Sequence, residues 1–164
     1  MPAVWTPDGQ ALAVVGALET ISVTPVVDAD PDYSDGDVLG SVMEFANAVR
    51  MDGGSGYVTS VRITSKTANA QPVDLLLFSA DPTNTTWTDN AAVAVNAADL
   101  AFLVGVVPVN SWHALGTPSV GYKECGVPFK LASGTSLWGV LIARGTVAIG
   151  AVDDVVVEIG LDQN

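Results

Sequence analysis

The chain has 164 residues, of which 49% are hydrophobic and 15% charged, with six Lys plus Arg, 18 Asp plus Glu and a formal net charge of −12. A single histidine (His113) and a single cysteine (Cys125) exclude an internal disulfide and a zinc site of four N/S ligands from one chain. So few cations disfavour binding to nucleic acid or to an anionic membrane, because affinity for phosphate comes from Lys and Arg.

The predicted elements run as follows in chain order. Met1–Gly9 reads as an extended N-terminal arm, broken by Pro2, Pro7 and Asp8-Gly9, and residues 10–164 read as one β-sandwich domain. Gln10–Leu18 and Thr20–Val27 read as strands, the second with Ile21 and Val23 alternating with Ser22 and Thr24. DADPDYSDGD (Asp28–Asp37) is an acidic loop, Val38–Val49 is apolar, and MDGGSG (Met51–Gly56) is a glycine-rich turn. Tyr57–Lys66 alternates, with Tyr57, Thr59, Val61 and Ile63 expected on one face and Ser60, Arg62, Thr64 and Lys66 on the other. VDLLLF (Val73–Phe78) is a buried strand ended by Asp81-Pro82, and Trp87–Val95 reads as another strand. Asn96 is placed to cap one short helix over Ala97–Leu103, with Asp99 near the positive end of its dipole. Val104–Val109, Tyr122–Leu131, Leu137–Ala143 and Val155–Leu161 complete the strands. The expected fold class is all-β, a single-domain β-sandwich of jelly-roll type.

No catalytic constellation stands out. No G-x-S-x-G motif accompanies His113, which is expected as a partly buried loop residue beside Trp112. Cys125 has no neighbouring base and reads as a buried structural thiol. Among the carboxylates, no pair is marked out for glycosidase chemistry. The acidic loop offers Asp28, Asp30, Asp32, Asp35 and Asp37 as positions for a hard cation. Counted from Asp28, however, Tyr33 stands where an EF-hand loop has Gly and Leu39 where it has Glu. No metal and no cofactor are expected. Trp138 lies in a continuous apolar strand and is expected in the core, whereas Trp5, on the arm, is the candidate anchor for a partner. The N-terminus shows no positively charged leader, so synthesis in a cytosol is expected.

Three runs carry a resemblance: YSDGDVLGSVMEFANAVRMDGGSGYVTSVRIT, PVDLLLFSADPTNTTWTDNAAVAVNAADLAFLVGVV and LASGTSLWGVLIARGT. Together they span about Tyr33 to Thr146 and resemble small virion proteins of tailed bacteriophages, of the capsid decoration (cement) kind. The resemblance implies a scaffold without an active site, made in the host bacterial cytoplasm. It further implies a protein bound to the major capsid protein on the outer surface of the shell, often as a trimer. Composition agrees on self-association: a charged fraction of 15% is well below the usual value of about 25%, and a mean hydropathy of +0.40 leaves apolar surface to cover. A homo-oligomer, a trimer, is therefore expected. The alternative is a receptor- or glycan-binding module of a phage tail or fibre, which would require exposed aromatics such as Trp87 and Trp112 beside polar groups.

Overall fold

The computed structural model describes residues 4–5, 11–12, 17–28, 32–67 and 71–164. Thirteen strands follow one another: β1 Val4–Trp5, β2 Ala11–Leu12, β3 Ala17–Val23, β4 Asp32–Tyr33, β5 Val38–Phe45, β6 Ser55–Ser65, β7 Val73–Phe78, β8 Leu103–Val109, β9 Trp112–Ala114, β10 Ser119–Lys130, β11 Leu137–Ala143, β12 Val147–Ala148 and β13 Val155–Gln163. One sheet has the order β3-β13-β6-β10-β9 and the other β5-β11-β7-β8, all neighbours antiparallel. Set the two- and three-residue strands aside. The long strands then lie first-eighth-third-sixth in one sheet and second-seventh-fourth-fifth in the other. This interleaving is a jelly roll, as the sequence pattern leads one to expect.

The core lies between the sheets. Val155, Val157, Ile159 and Leu161 of β13 point inward, in the alternation read from the sequence. They meet Leu39, Met43 and Phe45 of β5, Leu75 and Leu77 of β7, and Leu137 and Leu141 of β11. The central strand β6 departs from simple alternation. Ser60 faces Gly160 and Glu124, yet Val58 faces Leu161 and Val127, so Thr59 is an extra residue against β13. This bulge flips the side-chain phase. Val58 is buried together with Val61 and Ile63, and Tyr57 turns out to solvent at 47% exposure, so the expected face of Tyr57, Thr59, Val61 and Ile63 is corrected.

A second apolar cluster covers the outer face of the four-stranded sheet. Val38, Leu76, Phe78, Val140 and Ile142 form it, with Trp87, Val93, Val95, Leu103 and Trp138 packed against them. The segment expected as a strand over Trp87–Val95 builds this layer without being a strand. It joins the sheet through one bridge, Asp37 to Ala92, and Asn90 bends it with a φ of 55°. Its apolar alternation marks an extended chain lying flat on a sheet face, not a ladder. The Trp87 ring meets Phe78 edge-on, with centroids 5.8 Å apart at 64°.

The expected helix is a four-residue 3-10 turn, Asp99–Phe102. Asn96 is not its cap as expected: the N-cap is Ala98, without a side-chain cap, and Asn96 Oδ1 accepts from the Ala98 N–H at 2.9 Å just ahead of the turn, while Leu103 is already extended and begins β8. The acidic loop also holds more order than expected, because β4 within it pairs with β12 and buries Tyr33 completely. Of the N-terminal arm, Val4–Trp5 pairs with Ala11–Leu12. The rest of the arm, and with it the docking role expected of the Trp5 side chain, lies outside the described residues.

If the outer cluster is a true second core, truncating it should cost what truncating the inner one costs. Phe78→Ala and Phe45→Ala should each lose about 3–5 kcal/mol in urea unfolding. A loss below about 1 kcal/mol for Phe78→Ala would show that the 79–98 segment does not cover the sheet in solution.

Candidate functional site

Connections alternate between the two ends of the sandwich. At one end the 66–67 and 144–154 segments are joined through Asp154. Its carboxylate accepts from Ser65 Oγ (3.1 Å), Thr67 N (3.0 Å) and Gly150 N (3.1 Å), and also from Lys66 N and Thr67 Oγ1. Burial alone would raise the pKa of Asp154, but the donors of Thr67, Gly150 and Ser65 outweigh it and hold the carboxyl below its ordinary range. Asp99 is buried in the same manner. It accepts from Asn84 Nδ2 at 2.8 Å and Thr85 Oγ1 at 2.5 Å, and these donors likewise hold it low against the pull of burial. A third hub is Asp89, which accepts from the Tyr33 hydroxyl at 2.9 Å and the Asp28 N–H at 2.8 Å. Burial first, and Asp89 next, push the Tyr33 hydroxyl upward, so it stays protonated as the donor.

These hubs are structural, and the positions singled out in the sequence do not gather into a site. Asp28, Asp32 and Asp35 are exposed and Asp37 accepts locally from Ser34 N at 2.8 Å, while Asp30 lies outside the described residues. Among the described residues no group of three or more His, Cys, Asp or Glu side chains is placed to hold a metal ion. His113 is exposed on the edge strand β9, not partly buried as expected. Cys125 is half-buried in β10, its thiol donating to the Val58 carbonyl at 3.3 Å, and burial pushes its pKa up. Trp87 and Trp112 are both half-buried. Their indole N–H groups donate to Pro82 O at 2.9 Å and Val109 O at 3.3 Å.

The other end of the sandwich carries the concave surface. The 131–136 loop is pinned to the 46–54 turn by Gly53 N to Gly134 O (3.0 Å) and Val49 N to Thr135 O (3.3 Å). Between this loop and the start of the 79–98 segment lies a groove of about 220 Å³, lined by Asp81, Ser133, Gly134, Thr135, Ser136 and Trp138 among others. An open groove of about 420 Å³ adjoins it at Thr135 and includes Asn47, Arg50 and Gln163. Trp138 is thus corrected from core to a half-buried ring on the outer face of β11. In a two-faced sheet, residue 138 points away from Leu137 and Leu141 and toward the outer cluster. Burial, then the charges of Glu44 and Asp99, raise the pKa of Asp81. Sequence reasoning passed over this groove. Its one local signal is the hydroxyl-rich turn Ser133–Ser136 standing two residues before Trp138.

The five-stranded sheet presents a different kind of surface. Its outer face has no covering layer among the described residues. Leu18, Asp162, Tyr57 and Pro128 stand in one cross-strand row, and Ser22, Glu158, Arg62 and Tyr122 in another. Leu18 is 79% exposed and Tyr122 44%. Arg62 pairs with Glu158 at 2.6 Å, whereas Oδ1 of Asp162 is buried with no hydrogen-bond partner among the described residues.

No protein family matches the sequence, and no curated protein matches it. Among solved structures, the chain is similar to "Structure of infectious bursal disease virus Gx strain" at 12% identity and a TM-score of 0.24, over 99% of this chain and 45% of that one. This chain therefore spans less than half the length of that one, and a likeness at this level carries no argument about fold or function.

The buried carboxylates set the pH dependence. Asp154 and Asp99 have folded pKa values depressed below the unfolded value of about 3.9. Their contribution is therefore present above that pH and is lost as pH falls through the folded values. Stability should hold from pH 7 to 5 and fall below about pH 4. Asp154→Ala, which orphans several donors, should lose on the order of 3 kcal/mol at pH 7 and flatten the acid limb. Urea melts across pH check both.

Proposed function

We propose that the protein is a structural component of a virus particle, a decoration (cement) protein that binds the outer surface of a tailed-phage capsid shell and stabilises it. The observation that carries this reading is the asymmetry of the sandwich. One sheet is sealed on its outer face by the 79–98 segment; the other leaves Leu18, Tyr57 and Tyr122 exposed on a flat face. That face is the surface a partner would cover, either the major capsid protein or a sister subunit of a homotrimer. The resemblance over Tyr33–Thr146 supports the same reading. The placement of the two candidate reactive groups is consistent with it: His113 is exposed on an edge strand, and the Cys125 thiol is raised in pKa by burial and bonded to backbone.

The alternative, a receptor- or glycan-binding module of a tail or fibre, would have drawn on Trp87 and Trp112. Both indole N–H groups already have acceptors, and the two rings pack on different clusters. That pair gives it no support.

A ligand that binds only the assembled shell stabilises it by RT ln(1 + [L]/Kd), about 2.7 kcal/mol per site at a hundredfold excess. Added to shells lacking it, the protein should saturate symmetry-defined sites and raise the temperature of shell rupture. Leu18→Ser with Tyr57→Ser should weaken that binding at least tenfold, while Met51→Ser, on the 46–54 turn, should leave it unchanged. Wild-type protein that ignores capsids would remove the decoration reading. Face variants that bind as tightly as wild type would move the contact elsewhere on the molecule.

A further inference from the structure

We propose that the groove beside Trp138, with the cleft that adjoins it at Thr135, binds a neutral saccharide chain. This goes beyond shell binding and does not depend on it, because the groove lies at one end of the sandwich and the bare sheet face lies on its side.

Trp138 differs from the other tryptophans whose side chains are described. Trp87 and Trp112 donate to backbone carbonyls, whereas the indole N–H of Trp138 has no acceptor among the described residues. It packs on the margin of the outer cluster and also lines a groove. A half-buried indole offers an apolar face and a polar edge together. Those are the two surfaces of a sugar ring, which has an apolar C–H face and a rim of hydroxyls.

The polar groups around the ring fit the rim. The Asp81 carboxylate takes no hydrogen bond among the described residues, and the Ser133 and Thr135 hydroxyls are likewise without partners there. Ser136 Oγ donates to Glu44 Oε1 at 2.6 Å and so fixes a second carboxylate close by. The adjoining cleft adds the Arg50 guanidinium, in no ion pair among the described residues, and the Glu19 carboxylate. The site therefore mixes carboxylate acceptors that need donors with indole and guanidinium donors that need acceptors. A hydroxyl is both donor and acceptor and meets either need. A purely cationic ligand would leave the indole and Arg50 unmet.

Charge narrows the class. Burial first, then the charges of Glu44 and Asp99, oppose ionisation of Asp81, so the mouth of the groove lies in a negative field. Bringing a sialyl, uronyl, sulfate or phosphate group there would add a further negative charge. Neutral sugars carry no such penalty. Size narrows it further. The Trp138 groove, at about 220 Å³, falls short of the roughly 300–1,000 Å³ of typical enclosed small-molecule pockets, and it shares Thr135 with a larger groove of about 420 Å³. That shape suits a chain lying across the end of the sandwich, with one ring on Trp138. Each contact would be weak, but copies arrayed on a particle or an oligomer would gain strength through avidity.

The test uses the full chain, displayed multivalently, on an array of neutral oligosaccharides with their sialylated and sulfated counterparts and a polylysine spot. Neutral chains should bind, and a bound chain should quench tryptophan fluorescence. Trp138→Leu and Asp81→Asn should each reduce binding at least tenfold. Asp81 is exposed, so its replacement leaves the fold intact and keeps the test valid should Trp138→Leu melt early. The proposal is overturned by any of four results: no saccharide binding on the array, preference for the acidic chains, binding confined to polylysine, or binding that survives Asp81→Asn unchanged.

Discussion

The four-stranded sheet is apolar on both faces, and the rest of the architecture answers that constraint. In β7 the run VDLLLF sends Leu75 and Leu77 into the inter-sheet core and Leu76 and Phe78 to the opposite side. In β11 Val140 and Ile142 join that opposite side. An antiparallel sheet can leave one face to water only if that face is polar. This one is not, so the chain between β7 and β8 must fold back over it. The covering segment has few ladder hydrogen bonds of its own. It is held by buried or half-buried carboxylates, Asp99 just past its end gathering the 84–85 turn and Asp89 at its middle tying it to Tyr33. Both surfaces of functional interest follow from this arrangement. The return of the chain over β11 creates the groove at Trp138, and the five-stranded sheet, whose outer rows mix Ser, Thr, Arg and Glu with Tyr, needs no cover and stays available.

Much of this was legible in the sequence. Val73–Phe78 and Leu137–Ala143 are bounded as their patterns indicate, and β13 alternates as written, because apolar runs between strong turn signals leave little freedom of register. The jelly roll could be expected from the number and spacing of such runs. What escaped is non-local. The bulge at Thr59 depends on how β10 and β13 pair on either side of β6, and nothing in SGYVTSVRITS marks the point where the phase flips. The 87–95 segment has the alternation of a strand because it lies on a sheet face. Period alone does not tell a strand hydrogen-bonded in a sheet from an extended chain packed upon one. Trp138 was misplaced for a related reason: in a sheet covered on both sides, an unbroken apolar strand has two apolar faces, and the sequence does not say which residue meets the margin of the cover.

The acidic character of the chain acquires a different meaning once each carboxylate is matched to its donors. Asp154, Asp99 and Asp89 accept several hydrogen bonds each and act as fasteners between segments far apart in sequence. Such groups are saturated, so they have no capacity left for a ligand, and their low pKa values, where shifted, report structure. This is why a search for paired acids or calcium-like spacing in the sequence finds many candidates and no site. The acids without a donor within the chain form a separate group. Among the described residues Glu19, Asp81 and Glu124 are exposed and take no side-chain donor, whereas Asp162 differs in having its Oδ1 buried beside Tyr57 and Leu18. A buried unsatisfied oxygen is costly, on the order of 1–3 kcal/mol, and one closed to solvent is equally closed to a partner docking on that face. Asp81 and Asp162 thus differ in access: a carboxylate open to water finds its donors there, and an oxygen closed off from water does not.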